Sequence, residues 1–557
     1  MKSNRAEVYI LTLLLLAVAV VFGTREPWGT PAFSFEAVTD QGTETIQVWT
    51  REDGAGFVFL PSYVNLDQLR IQTKRPVFFD GTKMTYGKTC EKLSLDREYP
   101  LSGVGGCTSV TFLKSQGLPT LYIDTASGSL EAIHGSKENA EQAAMRLYSA
   151  TGERVYYGNL DSIKVRGNST AGEDKKPYNL TLSREEDLLG MGAAANWVLL
   201  ANAFDVTNLR NKIVCDFAGK AGLAYSPESR WVDLYLNGEY AGLYQLSERN
   251  EVHPQRVAIS KEGSFLVSMD FTESLAAQGT AYIETGSTEF GLRVRYSDVS
   301  NQTIAEAWRS IEAATAAEDG VDPVTGKHWT ELIDLDSWVR KYLVEEIFAN
   351  VDGGRASQFY YRNGADQRLF AGPVWDYDRT LFNPCIYWEF GGTTQPDRSY
   401  NSFYVNCNST SAYYHLYGRP AFYSYMTQVY QRDFLPLLRE LSETGFFGYE
   451  EQIRHSSRLN QIRWSIPDAQ EQTQALWDSI AGRTAFLTGL WLENREYVRV
   501  LARYVDRNVE YYLTPGESLS QLPQYPSYDW YDARTGQRVD TQAPLWEPME
   551  IELREKQ

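Results

Sequence analysis

Carboxylates recur at two places in the sequence where an apolar element gives way to a loop. Asp352 follows an amphipathic helical stretch and precedes two glycines. Asp376 and Asp378 follow an apolar run that ends at Trp375, and their i, i+2 spacing places both side chains on one face of an extended segment. Such oxygen ligands suit Mg²⁺ or Mn²⁺, so the pair predicts a divalent-metal site. An ordinary turn is the structural alternative for Asp352, because Asp before Gly is a frequent turn pair.

A lysine and a glutamate complete this set of reactive side chains. If residues 175–182 form a strand, Lys176 faces the apolar side, where an ammonium without an anion is costly. Glu248 alternates in step with the apolar residues of its own strand, so its side chain should also face the apolar side. We therefore expect Lys176 and Glu248 to form an ion pair across neighbouring strands. Kinases use such a Lys–Glu pair against nucleotide phosphates. The structural alternatives are a lysine that covers apolar surface and an ordinary ion pair.

The order Lys, Glu, Asp, amide, Asp contains the parts that phosphoryl transfer requires. Those parts are a cation for the phosphates, its orienting Glu, a carboxylate near the acceptor hydroxyl, and metal ligands. The strings GxGxxG, His-Arg-Asp and Asp-Phe-Gly of ordinary protein kinases are absent from the sequence. The spacing alone therefore leaves the chemistry open.

The elements that position these residues have clear local signals. Apolar residues at helical spacing predict a helix from about Leu335 to Ala349, with Asp334 as its N-cap. Asn237-Gly238 between two apolar runs predicts a β-hairpin. A further helical stretch is expected at about residues 192–220.

Four regions follow from the change of pattern along the chain. Residues 1–24 contain a 15-residue apolar run behind two basic residues, which favours a signal peptide or a short membrane anchor that is not cleaved. Residues 27–125 alternate apolar and polar side chains like a small β-sandwich. Residues 126–510 mix helices and strands, and residues 511–557 read as a loosely packed tail. The predicted fold class is α+β, with an extracytoplasmic, membrane-anchored or secreted chain.

Charge and cysteine content narrow the function further. The net charge of −19 argues against nucleic acid as a partner, because the chain repels phosphate backbones. In an exported chain, Cys90–Cys107 and Cys385–Cys407 are candidate short-range disulfides, whereas Cys215 lies in an apolar helical pattern and reads as a buried thiol. Neither CxxC nor HExxH occurs, which makes a zinc site an unfavoured interpretation.

Several ordered motifs give the chain a resemblance to the CotH kinase family of spore-coat proteins. They are Arg166-Gly167-Asn168-Ser169, Lys175-Lys176-Pro177-Tyr178, Trp197-Val198-Leu199-Leu200-Ala201-Asn202, Arg210-Asn211, Leu236-Asn237-Gly238-Glu239-Tyr240, Asn350-Val351-Asp352 and Gly372-Pro373-Val374-Trp375-Asp376-Tyr377-Asp378. The resemblance spans about residues 126–390 and extends to about residue 510. It leaves the predicted β-sandwich and tail outside.

The resemblance implies an atypical protein-kinase-like domain that binds ATP with Mg²⁺ or Mn²⁺ and phosphorylates serines of surface or spore-coat proteins. Carried over by position, the implied residues are Asp352 for catalysis, Lys176, Glu248 and Arg166 for ATP, and Asp376, Asp378 and Gln358 for metal. Two positions depart from the family pattern. Ala171 stands where an aromatic residue is frequent, and Ser357-Gln358 stands where an Asn is common.

Two other functions compete with a serine kinase. One is a non-catalytic surface or coat module that uses a kinase-like fold for adhesion or assembly. The other is a polysaccharide-acting enzyme that uses two carboxylates. The lysine and carboxylates at the family positions favour the kinase, because a scaffold has no need of them.

Overall fold

The structure is a computed structural model of the chain. It describes residues 33–39, 42–91, 93–102, 107–364, 366–386, 388–390, 393–395, 400–406, 409–505 and 507–556. The predicted N-terminal apolar helix at residues 8–22 lies outside these ranges, so the export signal stays a prediction. Within the ranges given, no helix is both long and apolar enough to cross a membrane.

Nine short strands occupy the described part of the N-terminal region. They are β1 Phe33–Thr39, β2 Gly42–Gln47, β3 Trp49–Thr50, β4 Ala55–Leu60, β5 Arg70–Thr73, β6 Val77–Phe79, β7 Thr82–Met84, β8 Glu98–Ser102 and β9 Ser109–Lys114. They form sheets of order β2-β1-β5 and β3-β4-β9-β8-β6-β7. Phe35 of the first sheet and Phe112 of the second pack edge to face, 5.3 Å apart, so the two sheets share a core.

A closed seven-stranded barrel follows. Its strands are β10 Thr120–Thr125, β11 Glu141–Tyr148, β12 Arg154–Val165, β13 Tyr178–Asp187, β14 Ala193–Leu200, β15 Ser229–Leu236 and β16 Glu239–Glu248, and a short helix, α1 Glu131–Gly135, follows β10. The order around the barrel is β10-β11-β12-β13-β14-β16-β15, and the parallel pair β10–β15 closes it. Apolar side chains that include Leu180, Trp197 and Leu246 fill the interior.

The predicted hairpin is confirmed between β15 and β16. Asn237 and Gly238 both have positive φ, 49° and 80°, as a two-residue turn of the primed type requires. The predicted helical stretch at 192–220 is wrong in its first half, where β14 is a barrel strand. Pairing on both edges, with β13 and β16, overrides the helix propensity of its alanines.

A second, five-stranded sheet packs against most of the helices. Its strands are β17 Phe265–Phe271, β18 Ile283–Glu284, β19 Phe290–Ser297, β20 Gln358–Arg362 and β21 Phe370–Ala371, in the order β18-β19-β17-β20-β21. The other α-helices of the described residues are α2 Arg210–Lys220, α3 Thr272–Ala277, α4 Asn301–Ala316, α5 Trp329–Leu332, α6 Leu335–Ile347, α7 Ala412–Tyr417, α8 Pro420–Val429, α9 Leu435–Trp464 and α10 Gln470–Trp491. A π-helical turn, Tyr430–Phe434, joins α8 to α9, and single 3₁₀ turns lie at Leu66–Gln68, Ser169–Gly172, Pro384–Ile386 and Leu519–Gln521.

The helix predicted from Leu335 is α6, and its cap is as expected. The Asp334 carboxylate accepts a hydrogen bond of 3.0 Å from the Ser337 amide, which satisfies one of the free N–H groups of the first turn. Trp338 and Leu343 of this helix are fully buried in the largest apolar core of the chain. The loop that carries Asp352 therefore begins from a firmly fixed helix.

The C-terminal stretch predicted as a loosely packed tail is folded instead. After the hairpin strands β22 Trp388–Phe390 and β23 Thr393–Gln395, the last strands are β24 Val498–Arg503, β25 Asn508–Leu513, β26 Tyr528–Asp532 and β27 Met549–Glu555. They form a sheet of order β25-β24-β27-β26 around a separate core that contains the buried Trp530. The described residues thus form a mixed α+β structure with several sheets.

Candidate active site

The segment with the two alternate carboxylates is an irregular loop, and not the extended segment that the sequence predicts. β21 ends at Ala371, and Asp376 adopts a positive φ of 71°. The two side chains therefore differ in environment, since Asp376 is exposed whereas Asp378 is only 6% exposed. Burial, followed by repulsion from Asp376 and Asp205, raises the pKa of Asp378 well above its usual range.

Asp352 lies on the loop that follows α6, as the sequence predicts. Its backbone amide donates a hydrogen bond of 3.0 Å to Oδ1 of Asn350, which fixes the turn. Burial raises the pKa of Asp352 to about 6, while Arg379 acts in the opposite direction and Asp376 adds to the rise. Neither the Asp352 nor the Asp378 carboxylate accepts a hydrogen bond from any residue that the structure describes.

A buried glutamate connects the two acidic segments. Oε2 of Glu345 accepts a hydrogen bond from the side-chain amide of Asn350, and Oε1 accepts one of 2.6 Å from the Tyr377 hydroxyl. Lys341, one turn earlier on α6, forms an ion pair with the same carboxylate and is likewise fully buried. Asn350 precedes Asp352 and Tyr377 lies between Asp376 and Asp378, so Glu345 holds both loops in register. This role could not be predicted from the sequence, because a Glu inside a helix has no distinguishing local signal.

Helix α2 and the end of the barrel contact the same acidic segment. The Tyr377 amide donates a hydrogen bond of 2.7 Å to Oδ1 of Asn211, which lies in α2. The Asn250 side chain, two residues beyond β16, donates one of 3.2 Å to the Val374 carbonyl. These contacts place Asp376 and Asp378 where the barrel meets the second sheet and its helices.

The predicted amide ligand Gln358 does not face Asp376. It is fully buried, and its Nε2 donates to the carbonyl oxygens of Ala356 at 3.0 Å and Asp352 at 3.4 Å. Its Oε1 has no hydrogen-bond partner in the described part of the chain. The neighbouring Ser357 contacts the site instead, because its hydroxyl donates a hydrogen bond of 2.9 Å to Asp376.

Asp270 is a further carboxylate in this neighbourhood that the sequence did not predict. The Ser357 amide donates a hydrogen bond of 3.2 Å to Oδ1 of Asp270 at the end of β17. Burial raises the pKa of Asp270, and the charge of Asp376 adds to the rise. Asp270 is the last but one residue of the apolar strand β17, and an acid at the end of an apolar run, as at Asp376, is a signal that could have identified it.

The predicted ion pair between Lys176 and Glu248 is not formed. Glu248 pairs with Arg256 at 2.7 Å and accepts a hydrogen bond from the Glu228 amide, while the Lys176 ammonium donates to the Ala171 carbonyl at 2.9 Å. Burial raises the pKa of Glu248 to about 7, and Arg256 partly offsets it. This glutamate thus already has a cation inside the barrel.

Strand register explains why the pair fails. β13 and β16 are not neighbours but lie on either side of β14, where Trp197 pairs with both Leu180 and Glu248. Glu248 is therefore level with Leu180, four residues from Lys176, or about 13 Å along the strands. The parity argument for Lys176 also fails, because β13 begins only at Tyr178.

The buried lysine of this segment is Lys175. Its ammonium donates a hydrogen bond of 2.6 Å to the Leu243 carbonyl and lies 4.7 Å from the centre of the Tyr244 ring. Burial lowers the pKa of Lys175 to about 7, with the charge of Asp233 acting against it. Lys175 is thus held against strand β16.

Of the two basic residues predicted to bind ATP, Arg166 is the one that lies beside the acidic segment. Its guanidinium lies 5.4 Å from the centre of the Trp375 ring and forms no ion pair with a described residue. Burial lowers the pKa of Arg166, and the charges of Asp376 and Asp378 act in the opposite direction. Arg166 is therefore close enough to interact with these acids without neutralising either of them.

The ligand chemistry fits a divalent cation, although the side chains are not gathered around one. Asp378 is nearly buried, has no hydrogen-bond donor among the described residues and is repelled by Asp376. A hard cation would relieve that repulsion, and carboxylate oxygens are the ligands that Mg²⁺ prefers. Within the described ranges, however, no three His, Cys, Asp or Glu side chains converge closely enough to hold a metal.

The cysteines of the described residues are not paired with one another. Cys90 and Cys107 are buried free thiols, so the predicted disulfide between them is wrong, and Cys107 donates a hydrogen bond of 2.9 Å to the Ser109 carbonyl. Cys215 is a buried thiol, as predicted. Cys407 lies outside the described residues, so its pairing with Cys385 stays a prediction.

Comparison with known proteins supports the resemblance seen in the motifs. No curated protein matches the chain. A family profile described as CotH kinase protein matches residues 163–475, more than half of the chain. The matched range begins within β12 and includes Arg166, Asp352, Asp376 and Asp378. The chain therefore belongs to the CotH kinase family.

Proposed function

We propose that this protein is an atypical protein kinase that transfers the γ-phosphate of ATP to serine residues. The observation that carries the proposal is the pair of acids Asp352 and Asp378, which are largely enclosed and accept no hydrogen bond from the described residues. Leaving such groups unpaired costs stability, and sites of this kind are typical of catalytic centres. In this interpretation the fold is kinase-like, with the barrel as one lobe and the second sheet with its helices as the other.

Asp352 is the residue that would meet the acceptor hydroxyl. A bond forms between the serine Oγ and the γ-phosphorus while the bond from that phosphorus to the β–γ bridging oxygen breaks, so that phosphoserine and ADP result. The serine proton passes to the Asp352 carboxylate, which orients the hydroxyl before transfer. A pKa of about 6 leaves this carboxylate ionised at neutral pH and so able to accept the proton.

Asp376 and Asp378 are the residues that would hold Mg²⁺ or Mn²⁺. When bound, such a cation neutralises the phosphate charge and orients the β- and γ-phosphates. Ser357 holds the Asp376 carboxylate through its hydroxyl, while the Tyr377 contacts to Glu345 and Asn211 fix the backbone between the two acids. Arg166 would contact the phosphates from the barrel side.

The proposed substrates are serine-containing surface or spore-coat proteins, and the proposed location is outside the cytoplasm. The apolar run at residues 8–22 supports export and membrane attachment. Cell fractionation tests this part separately: the full-length protein should be found with the membrane or outside the cell. Recovery of the intact chain in the cytosol would refute it.

The test of the activity is incubation of the purified protein with γ-labelled ATP, Mg²⁺ or Mn²⁺, and a serine-rich acceptor. Wild-type protein should transfer label to serine, and Asp352→Asn should not. Absence of both transfer and ATP binding with either metal would refute the kinase.

A non-catalytic surface or coat module is the second candidate. It is favoured by the failure of Lys176 and Glu248 to pair and by the absence of a converged metal-ligand set in the described ranges. This function predicts that Asp352→Asn leaves assembly or adhesion unchanged and that nucleotide does not bind. A nucleotide-binding measurement on the wild-type protein therefore separates the two candidates.

A further inference from the structure

Two arginines share one face of the second sheet with polar residues. Ser268 of β17 pairs directly with Arg293 of β19, and Nε of Arg295 donates a hydrogen bond of 2.9 Å to the Ser268 hydroxyl. The Arg295 guanidinium also lies 5.6 Å from the centre of the Phe359 ring on β20. The opposite face, with Val267, belongs to the large apolar core. Arg293 and Arg295 therefore point away from the core.

This polar face is continuous with the acidic segment. Asp270 is two residues beyond Ser268 on β17, and it accepts a hydrogen bond from the Ser357 amide. The Ser357 hydroxyl in turn contacts Asp376. The Trp375 ring packs against the small apolar cluster that contains Phe359. The two arginines thus lie on the same side of the sheet as the proposed metal ligands.

Two further arginines reach the same place from the barrel. Arg166 follows β12 and packs over Trp375. Arg249 follows β16, and the next residue, Asn250, is hydrogen-bonded to the Val374 carbonyl. The side chains of both residues therefore start from backbone that is next to the acidic segment.

None of these four guanidiniums forms an ion pair with a described residue. Desolvation lowers the pKa of Arg295 to about 10; the charges of Arg293, Arg249 and Arg166 add to the decrease, and Asp270 acts against it. Arg295 thus lies within reach of three other cations that have no ion-pair partner among the described residues. Such an arrangement costs stability unless an anion binds between them.

We propose that Arg166, Arg249, Arg293 and Arg295 together form the binding surface for the polyphosphate tail of the nucleotide. This inference rests on the proposed kinase function, adds three arginines to Arg166, and replaces Lys176 in the phosphate-binding role that the family resemblance implies. The forked guanidinium donates paired hydrogen bonds to phosphate oxygens, and it suits a chain of phosphates better than a single ammonium. Lys176 is already hydrogen-bonded to the Ala171 carbonyl.

The test is isothermal titration of the full chain with inorganic tripolyphosphate, ATP and AMP. Arg249→Gln, Arg293→Gln and Arg295→Gln should each weaken tripolyphosphate and ATP binding by about 10-fold or more, the usual effect of losing a charge-assisted hydrogen bond. AMP binding should change much less. The matched control is Arg309→Gln on α4, which removes the same charge from an exposed arginine whose Nε donates only to a carbonyl.

Thermal unfolding shows whether the variants fold. Arg293→Gln should unfold close to the wild-type temperature, because its guanidinium forms no ion pair with a described residue, whereas Arg295→Gln also loses the hydrogen bond to Ser268. The inference is overturned if wild-type protein does not bind tripolyphosphate, or if the three variants bind it as tightly as Arg309→Gln does. It is also overturned if the variants change only the affinity for an acidic acceptor peptide.

The outcome for the kinase is separate from the outcome for this surface. Loss of tripolyphosphate binding in the variants supports the arginine surface even if the wild-type protein transfers no phosphate. If the variants transfer phosphate and bind ATP with unchanged affinity, the proposed arginine surface is refuted and the proposed kinase function is not.

Discussion

Replacing Glu345 by Gln should destabilise the protein strongly, because this carboxylate is the shared acceptor of a buried cluster. The side chains of Glu345 and Lys341 are both 0% exposed. The change leaves the Lys341 ammonium buried without its counter-ion, which typically costs about 3–5 kcal/mol. It also places an amide N–H against the donors of Asn350 or Tyr377.

The measurement is the free energy of unfolding from urea denaturation, with Glu451→Gln as the matched control. Glu451 and Arg454 form an ion pair on α9, but their side chains are 71% and 64% exposed. Exposed pairs contribute about 0–1 kcal/mol, so the control should lose little stability. A Lys341→Met, Glu345→Leu double variant should recover only the part of the loss that comes from the unpaired cation, because the buried donors of Asn350 and Tyr377 still lack their acceptor.

A milder variant keeps the prediction testable if Glu345→Gln does not fold. Tyr377→Phe removes the hydrogen bond of 2.6 Å to Glu345 and the one of 3.0 Å that the hydroxyl accepts from Lys341, and each bond to a charged group should cost about 1.5–3 kcal/mol. It should lower the rate of phosphate transfer as well, because Tyr377 lies between the two proposed metal ligands. A loss for Glu345→Gln no larger than that of Glu451→Gln would refute the argument that the buried cluster holds the two loops.

Two more predictions concern the proposed active site, and a third concerns the N-terminal cysteines. Asp352→Asn should leave ATP binding largely intact and reduce phosphate transfer by about 10²-fold or more. Asp376→Asn should instead weaken Mg²⁺-dependent ATP binding. If both variants change binding and transfer equally, these separate roles are contradicted. Because protonated Asp352 cannot accept the serine proton and its pKa is about 6, kcat/KM should fall as the pH decreases below about 6, and a profile that is flat from about pH 5 to 7 would contradict the assignment. Burial raises the pKa of Cys90 to about 12, and both Cys90 and Cys107 are buried free thiols. In the absence of a reductant, both should react with iodoacetamide once the protein is unfolded, but not while it is folded. Recovery of a disulfide-linked peptide pair by mass spectrometry would contradict the structure.

Local signals in the sequence predicted local structure well. The Asn237-Gly238 turn and the Asp334 cap each depend on a few neighbouring residues, and both are present in the structure. The position of Asp352 after its helix follows from the same kind of information. The alanines of β14 favour a helix, but pairing with barrel strands on both sides makes the segment a strand.

Strand register is what the sequence could not provide. The predicted contact between Lys176 and Glu248 requires neighbouring strands, whereas β14 lies between β13 and β16. A shift of a few residues along a strand moves a side chain by more than the length of an ion pair, so correct residue types were assigned to an incorrect contact. Glu345 and Asp270 were missed for a related reason: their roles depend on partners that are distant in the sequence.

The net charge illustrates the same limit for function. A total of −19 argues against binding a long polyanion, because the field of the whole chain repels it. A short anion in a cleft responds mainly to nearby charges, since salt screens those that lie beyond about 10 Å. The Arg293-x-Arg295 alternation is visible in the sequence, but Arg166 and Arg249 join it only through the fold. An acidic protein can therefore repel nucleic acid and still offer a phosphate chain four arginines that have no ion-pair partner among the described residues.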